Sequence, residues 1–223
     1  MSRIIDLTMT LRSGMPGVEL TPKFTVAREG WNASTLNLYS HCGTHMDAPV
    51  HFAAGPGTID QTPPEQCMGA AWVVNLAGIA PKGLIEIASL GDVEKQFSPG
   101  DSLLLRTDWS WHRDNPDVYR HGLPRLSAAL AEWCVAKRVK LLGVEPPSVA
   151  DVNNLSEVAA IHKVLLGGGV TIVEGLCHLD QIGVPKVFFV ALPLKPLAGD
   201  GAPCRALAIE GIPTDGLLTG GGL

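Results

Sequence analysis

Apolar residues along the chain fall into short runs, some continuous and some alternating with polar residues, as is typical of β-strands. Helical periodicity is clearest over Leu126–Ala136, and a second helix is predicted over Leu155–Leu166. This mixture predicts a mixed α/β fold in a single domain. The predicted strands are Ile4–Thr8, Leu36–Ser40, Ala71–Leu76, Ser102–Arg106, Val139–Val144, Val170–Val173, Val187–Leu192 and Arg205–Ile209.

Local signals indicate where the two helices end. Ser127 lies near the start of the first and Lys137-Arg138 at its end, as capping and the helix dipole favour. Three glycines at 167–169 follow the second helix and precede a strand. Phosphate-binding glycine loops have the opposite order, so we interpret these glycines as a C-cap and connector and expect no nucleotide site.

Composition narrows the class of protein. The chain has 223 residues, of which 46% are hydrophobic and 17% charged, as in a soluble globular domain. Its formal charge of −5 argues against nucleic acid or an anionic membrane as a partner. No apolar stretch reaches the length of a membrane span, and the first residues lack a signal-peptide pattern, so we expect a cytoplasmic protein. The five scattered cysteines form no CxxC pair and predict neither disulfides nor a thiolate zinc site.

Segment 41–52, HCGTHMDAPVHF, carries three histidines and an aspartate within eleven residues. Imidazole and carboxylate are standard ligands for zinc, manganese and iron, so the cluster indicates a metal site. A fully extended chain would hold His41 and His45 about 13 Å apart, too far for one ion. We therefore expect a strand that leads into a sharp bend at Gly43, after which His45 and Asp47 point the same way.

Two distant residues are candidate partners. His162 lies on the inward, apolar face of the second predicted helix, and Glu174 follows the buried run Val170–Val173. The carboxyl ends of strands are where open α/β folds collect ligands. Each residue also has an ordinary interpretation, as a hydrogen-bonded core histidine and a solvated or capping glutamate. Beside the histidine cluster, a shared cation would give both a buried partner.

The histidine-rich segment resembles the signature of a known family. The pattern His41-x-Gly-Thr-His45-x-Asp47-Ala-Pro-x-His51-Phe52 is similar to the signature of the cyclase family of metal-dependent hydrolases, which includes bacterial kynurenine formamidase and isatin hydrolase. The likeness covers most of the chain in the family's order. Its weaker segments are 105–109 (LRTDW), 143–149 (GVEPPSV), 174–176 (EGL), 192–195 (LPLK) and 199–201 (GDG).

The resemblance implies a swivelling β/β/α fold over residues 1–213, followed by a flexible tail at 214–223. It also implies two divalent ions per subunit, zinc or manganese. His41, His45 and Asp47 would hold one ion, and Asp47 would bridge to a second. His162 would complete the second site, Glu174 would contact both ions, and His51 would stay outside the coordination shell as the proton shuttle.

The implied activity is that of a metal-dependent amidohydrolase. Metal-bound hydroxide would cleave a carbon–nitrogen bond in a formamide, amide or cyclic amide, with N-formylkynurenine as the leading specific substrate. The family's formamidases have an aromatic residue in a Pro-Gly segment that corresponds to Met15–Val18, and its absence here weakens the assignment to N-formylkynurenine. Trp109 and Trp111 are available to line an aromatic pocket, although tryptophans more often pack in cores.

Three alternatives stay open from the sequence. One is an isatin hydrolase-like cyclic amide hydrolase with a single metal, a type that lacks the late acidic ligand that Glu174 would supply. Another is a metal-dependent lyase or isomerase. The third is a non-catalytic protein whose metal clips the fold, which a closed site without an adjoining pocket would favour. The oligomeric state typical of the family also implies a homodimer or higher homo-oligomer.

Overall fold

The computed structural model describes residues 2–214, and most of its strands form one large sheet. Twelve strands are present in this part of the chain: β1 (Arg3–Asp6), β2 (Val18–Phe24), β3 (Ala33–Leu38), β4 (His45–Asp47), β5 (Met68–Asn75), β6 (Leu84–Ile85), β7 (Ser102–Arg106), β8 (Arg125–Leu126), β9 (Leu141–Val144), β10 (Thr171–Glu174), β11 (Lys186–Pro193) and β12 (Gly201–Glu210). The α-helices are α1 (Val26–Glu29), α2 (Val93–Gln96), α3 (Pro116–His121), α4 (Ala128–Ala136) and α5 (Leu155–Gly167).

The large sheet closes on itself through its shortest strand. Its order is β1-β12-β11-β5-β7-β9-β10-β4, and β4 pairs a second time with β12. Strands β5, β7, β9 and β10 are parallel neighbours, whereas β4, β11 and β12 join the ring by antiparallel pairing. The three residues of β4 therefore complete a barrel-like sheet, with His45 opposite Glu174 on one side and Asp47 opposite Gly201 on the other.

Two apolar cores lie on the two faces of this sheet. Inside the ring, Leu7, Met46 and Phe189 belong to one cluster of fully buried side chains. Outside it, α4 and α5 cover the parallel strands, and Leu130, Leu165 and Ile172 belong to the second cluster. The four-residue β10 alternates between the two, since Ile172 faces the helices and Val173 the interior. This alternation also decides which face the polar residue at the strand's end will occupy.

Both predicted helices are confirmed, with small shifts at their ends. Helix α4 begins at Ala128, two residues later than predicted, because Ser127 is its N-cap and accepts a hydrogen bond from the amide of Leu130 at 3.1 Å. Helix α5 ends at Gly167 with Gly168 as its C-cap, which confirms the connector interpretation of the glycines. Among residues 2–214, no helix has both the length and the apolar character that a membrane crossing requires.

Every predicted strand overlaps an observed one, but one of them does not belong to the large sheet. The pattern at Leu36–Ser40 predicted a half-buried strand, whereas β3 pairs only with β2 in a separate two-stranded arm. Leu36 is 60% exposed there, so the prediction of its burial is wrong. The hydrophobic alternation is real, but no surface formed by residues 2–214 covers Leu36.

The mixed α/β single-domain fold is confirmed. All five cysteines are buried and none of them forms a disulfide in the structure. The domain limit at residue 213 stays a prediction, because residues 215–223 of the expected tail lie outside the described part of the chain.

Candidate metal centre

Strand β4 supplies two polar side chains to one face of the sheet. Residues alternate in a strand, so Met46 enters the inner core while His45 and Asp47 point outward, towards α5. Both polar residues are nonetheless buried, with exposed fractions of 3% and 2%. This arrangement confirms the expected extended geometry after Gly43.

The turn before β4 brings a third side chain to the same place. Gly43 has a positive φ of 59°, which confirms the expected bend. The bend brings His41 Nδ1 to 2.8 Å from Asp47 Oδ1. Thr44 fixes the turn, because its hydroxyl donates to the carbonyl of Gly175 at 2.6 Å and accepts the amide of Met9 at 2.8 Å.

Helix α5 and strand β10 deliver the two distant candidates. His162 is 3% exposed on the inward face of α5, and Glu174 is 3% exposed at the end of β10. His162 Nε2 lies 3.3 Å from Glu174 Oε1 and 3.7 Å from Asp47 Oδ2. The structure therefore brings together all five residues that the sequence singled out as ligands.

These side chains form two groups that share one carboxylate. His41, His45 and Asp47 make up the first group, and Asp47, His162 and Glu174 the second. Asp47 directs Oδ1 towards His41 and His45 and Oδ2 towards His162. The two oxygens of Glu174 likewise face different histidines. Oε2 lies 3.3 Å from His45 Nε2, and Oε1 lies 3.3 Å from His162 Nε2.

The donor atoms of the site fit cations. His45 Nδ1 donates to the carbonyl of Gly43 at 3.0 Å, and His162 Nδ1 donates to the carbonyl of Val158 at 2.7 Å. In a neutral ring the opposite nitrogen then carries a lone pair, and in both residues it faces carboxylate oxygens. Within the described chain, the buried Oδ2 of Asp47 has no hydrogen-bond partner.

The spacing of the donor atoms agrees with that interpretation. Ligand atoms about 2.0–2.2 Å from a tetrahedral zinc lie about 3.3–3.6 Å from one another. The contacts of His45 and His162 with the carboxylates measure 3.3–3.7 Å, longer than ordinary hydrogen bonds to a charged group. A cation between these atoms would take the place of the protons that otherwise lie between the histidines and the carboxylates.

The electrostatics of the buried groups follow from the same contacts. Burial alone would lower the pKa of His45, but the carboxylates of Glu174 and Asp47 outweigh burial and raise that pKa to about 9. The pKa of His162 is raised for the same reason, against the effect of burial. Burial would raise the pKa of Glu174, but hydrogen bonds from His162 and His45 hold it below its usual range. The pocket therefore favours positive charge.

His51 lies beside the two groups that share Asp47, and with His41 and Asp200 it makes up a third set of donor atoms close enough to hold an ion. It belongs to a 3₁₀ turn over Pro49–Phe52, and its ring stacks on that of His41 with centroids 3.8 Å apart. Its side chain is 23% exposed. Burial and the neighbouring His41 lower the pKa of His51, although Asp47 opposes them, so this imidazole is neutral near pH 7.

Sequence reasoning missed Asp200 as part of this site. Its Oδ2 lies 3.3 Å from His41 Nε2 and 3.7 Å from His51 Nδ1. Burial would raise its pKa, but hydrogen bonds from Ser40 and His41 lower it. In the sequence, segment 199–201 is one of the weaker parts of the family resemblance. An Asp-Gly pair at the start of a strand was the available signal, but nothing in the sequence relates it to His41, 159 positions away.

A cavity of about 410 Å³ opens beside the first group. His41 and His45 reach it, and Met15 and Pro16 line it, so the segment that departs from the formamidase pattern does lie at this cavity. Trp109 is buried, as the core-packing interpretation has it, and Trp111 is 62% exposed; neither of these two tryptophans lines the cavity. A purely structural metal would favour a closed site, so the adjoining cavity argues against the non-catalytic alternative.

Comparison with known proteins agrees with this geometry. A family model described as "Putative cyclase" matches residues 5–151. A kynurenine formamidase of Erythrobacter litoralis is 32% identical over 215 residues, which cover 93% of this chain and 94% of the relative. A kynurenine formamidase of Bacillus cereus is 30% identical over 178 residues, or 79% of each chain.

Solved structures share the fold at lower identity. Isatin hydrolase A from Labrenzia aggregata, bound to benzyl benzoate, superposes with a TM-score of 0.84 at 23% identity, covering 93% of both chains. A structure described as a potential metal-dependent hydrolase with cyclase activity gives 0.78 at 24% identity, covering 96% of this chain and all of the other.

Proposed function

This chain belongs to the cyclase family, and from that premise we propose that it is a metal-dependent hydrolase that cleaves carbon–nitrogen bonds of formamides, amides or cyclic amides. The observation that carries the proposal is the pair of donor groups that share Asp47 and border a cavity. Relatives at 30–32% identity named kynurenine formamidase support the reaction class. N-formylkynurenine is the leading specific substrate.

We assign His41, His45 and Asp47 to one divalent ion and Asp47, His162 and Glu174 to a second. Support comes from the two oxygens of Asp47, which face different groups, and from the two oxygens of Glu174, which do the same. This sharing favours two ions over the single metal of the isatin hydrolase alternative. Nitrogen and carboxylate donors suit zinc and manganese alike.

Bound cations supply a Lewis acid that polarises the scissile carbonyl and makes a neighbouring water more acidic. The chain itself handles the proton. His51 is neutral near pH 7, lies against His41 and is partly open to solvent, so its imidazole is available as a general base. It would then return the proton to the leaving nitrogen. Asp47 and Glu174 balance about half of the charge of two divalent ions.

The cavity supports a small substrate with apolar and acidic parts. Met9, Met15 and Pro147 give it apolar walls. Its charged lining includes the guanidinium groups of Arg113 and Arg120 and the carboxylates of Asp114 and Asp117. N-formylkynurenine has an aryl formamide for the apolar walls and a carboxylate that an arginine could bind. This pairing is why we place it ahead of isatin, which has no carboxylate before hydrolysis.

The proposal is tested by turnover of a panel consisting of N-formylkynurenine, isatin and small cyclic imides, with zinc-loaded and manganese-loaded protein. We expect turnover of N-formylkynurenine by the wild type and its loss, together with metal, in Asp47→Ala. Turnover of isatin alone would favour the cyclic amide alternative. No turnover of any compound by fully loaded protein would contradict the hydrolase assignment.

We further propose that the protein is a homodimer or higher homo-oligomer. The arm formed by β2, α1 and β3 exposes large apolar side chains, and a two-stranded hairpin is marginally stable by itself. Trp31 is 53% exposed and Tyr39 59%. A second copy packed on the arm would cover them. Sedimentation at micromolar concentration that gives only the monomer mass would contradict this proposal.

A further inference from the structure

A carboxylate outside the five proposed ligands contacts the outer nitrogen of His41. Asp200 Oδ2 lies 3.3 Å from His41 Nε2, while His41 Nδ1 lies 2.8 Å from Asp47 Oδ1 on the opposite side of the ring. The imidazole is therefore held between two carboxylates, one inside the donor group and one outside it. Only Nδ1 faces the first donor group, so a metal bound there needs the proton of the neutral ring on Nε2.

The backbone around Asp200 is shaped to receive this ring. Gly201 pairs with Asp47 across β12 and β4, and a Cβ at Gly201 would lie 2.7 Å from Cε1 of His41. Any larger residue would push the imidazole from its place. Glycine at this position therefore lets the ring lie directly against the start of β12, next to Asp200.

Asp200 is also tied to the loop that leads to His51. The carbonyl of Asp200 accepts the amide of Ala48 at 2.9 Å, and the carbonyl of Ala48 accepts the amide of His51 at 3.0 Å. The hydroxyl of Ser40 donates to the Asp200 carboxylate. The Ser40 hydroxyl thus holds the carboxylate, and the Ala48 amide holds the backbone of Asp200, beside the stacked rings of His41 and His51.

We propose that Asp200 is a positioning residue that accepts the Nε2 proton of His41, fixes that tautomer and holds the ring with Nδ1 towards the metal. This inference rests on the proposed function in one respect, the assignment of His41 as a ligand. Partners of this kind orient metal-binding histidines and increase their basicity, and their removal costs about 10–100-fold in metal affinity.

The test measures metal binding rather than turnover. Zinc affinity is determined by competition with a chelator, and the visible spectrum of the cobalt-substituted protein reports the geometry of the site. We expect Asp200→Ala to weaken zinc affinity by about 10–100-fold and to alter the cobalt spectrum. Asp200→Asn should lose less, because its amide oxygen still accepts the Nε2 proton. Asp92→Ala is the matched control, since Asp92 is exposed and its side chain caps nothing.

Two results would overturn the proposal. One is wild-type zinc affinity with an unchanged cobalt spectrum in Asp200→Ala. The other is an equal loss in Asp92→Ala. Thermal unfolding of the metal-free variants monitors folding, and the nearly isosteric Asp200→Asn keeps the comparison valid if the alanine variant is unstable. A wild type that binds zinc but hydrolyses nothing would contradict the proposed function while leaving this comparison intact. A wild type that binds no zinc would overturn both.

Discussion

The two fully buried histidines of the candidate metal centre each donate one ring N–H to a backbone carbonyl. His45 donates to the carbonyl of Gly43, and His162 donates to the carbonyl of its own helix at Val158. The backbone thus decides which ring nitrogen can bind either a second proton or an ion. Because that nitrogen faces Glu174 in both residues, a proton and a cation compete for the same position.

This competition gives a pH-dependent prediction for His45. Its pKa of about 9 in the metal-free chain lies above the unfolded value of about 6.5, so the ring is protonated at pH 7.5. Metal binding should then release about one proton from His45, and zinc affinity should rise with pH up to about 9. Calorimetry in buffers of different ionisation enthalpy measures the release, and a value near zero at pH 7.5 would contradict the prediction.

Raising the pH has the opposite effect on the folding stability of the metal-free chain. A histidine with a raised pKa stabilises the folded state fully below about pH 6.5, and that contribution is lost as pH rises through about 9. Alkaline conditions should therefore destabilise the metal-free chain while they favour metal binding.

For His51, removal of the side chain should separate catalysis from metal binding. His51→Ala should keep its metal and lose at least about a hundredfold in kcat, because the proposed general base is absent. Metal analysis and turnover of the best substrate in the panel measure the two properties. The exposed His121, which contacts Asn153, provides a control in His121→Ala. If His51→Ala turns over at the wild-type rate, His51 has no part in proton transfer.

The sequence was most informative at residues that are close together in the chain or lie on strongly periodic elements. Three of the proposed ligands fall within seven positions, and the apolar pattern around His162 showed that it faces inward. The sequence could not predict that Asp200 belongs to the site, because its contact with His41 depends on how β12 pairs with β4. That pairing depends on closure of the sheet and cannot be inferred from the spacing of residues in the sequence.

At the scale of elements, β4 has only three residues but joins two edges of the sheet. Apolar patterns predicted every long strand of the ring. They could not show that a short polar segment closes it, because two of the three residues in β4 face the metal centre instead of a core. The arm shows the converse, since apolar residues such as Leu36 and Trp31 stay exposed within residues 2–214.

Close backbone contact at Gly175 holds β4 against β10. Gly175 has a φ of 69°, and a Cβ there would lie 2.4 Å from the carbonyl oxygen of Gly43. Gly175→Ala should lose at least about 2 kcal/mol of unfolding free energy, because backbone strain adds to the steric clash, and it should also weaken metal binding. Denaturant unfolding and chelator competition measure the two effects.

Gly169→Ala is the matched control for this substitution. Gly169 has a φ of 82°, and nothing lies within 4 Å of a Cβ placed there. Gly169→Ala should therefore lose only the unfolding free energy that backbone strain accounts for, about 1 kcal/mol. Equal losses in the two variants would show that contact with the Gly43 turn does not restrict Gly175.

In the whole molecule, the five proposed ligands come from three regions of the chain: the turn with β4, helix α5 and strand β10. The first is more than a hundred positions from the others, so the unfolded chain cannot hold these donors together. A cation at the site would bind the folded state and connect the outer helix layer to the strand that closes the ring. Metal binding is thereby coupled to global stability.

Thermal unfolding should show this coupling. Free zinc at a hundred times its Kd would add about 2.7 kcal/mol, which for a chain of this size corresponds to about 5–11 °C in Tm. Zinc can also bind thiols of the unfolded chain, which would reduce the shift, and manganese provides a comparison with weaker thiol affinity. Asp47→Ala should lose most of the stabilisation, because both donor groups contain that carboxylate. An equal shift in wild type and Asp47→Ala would place the stabilising metal elsewhere in the chain.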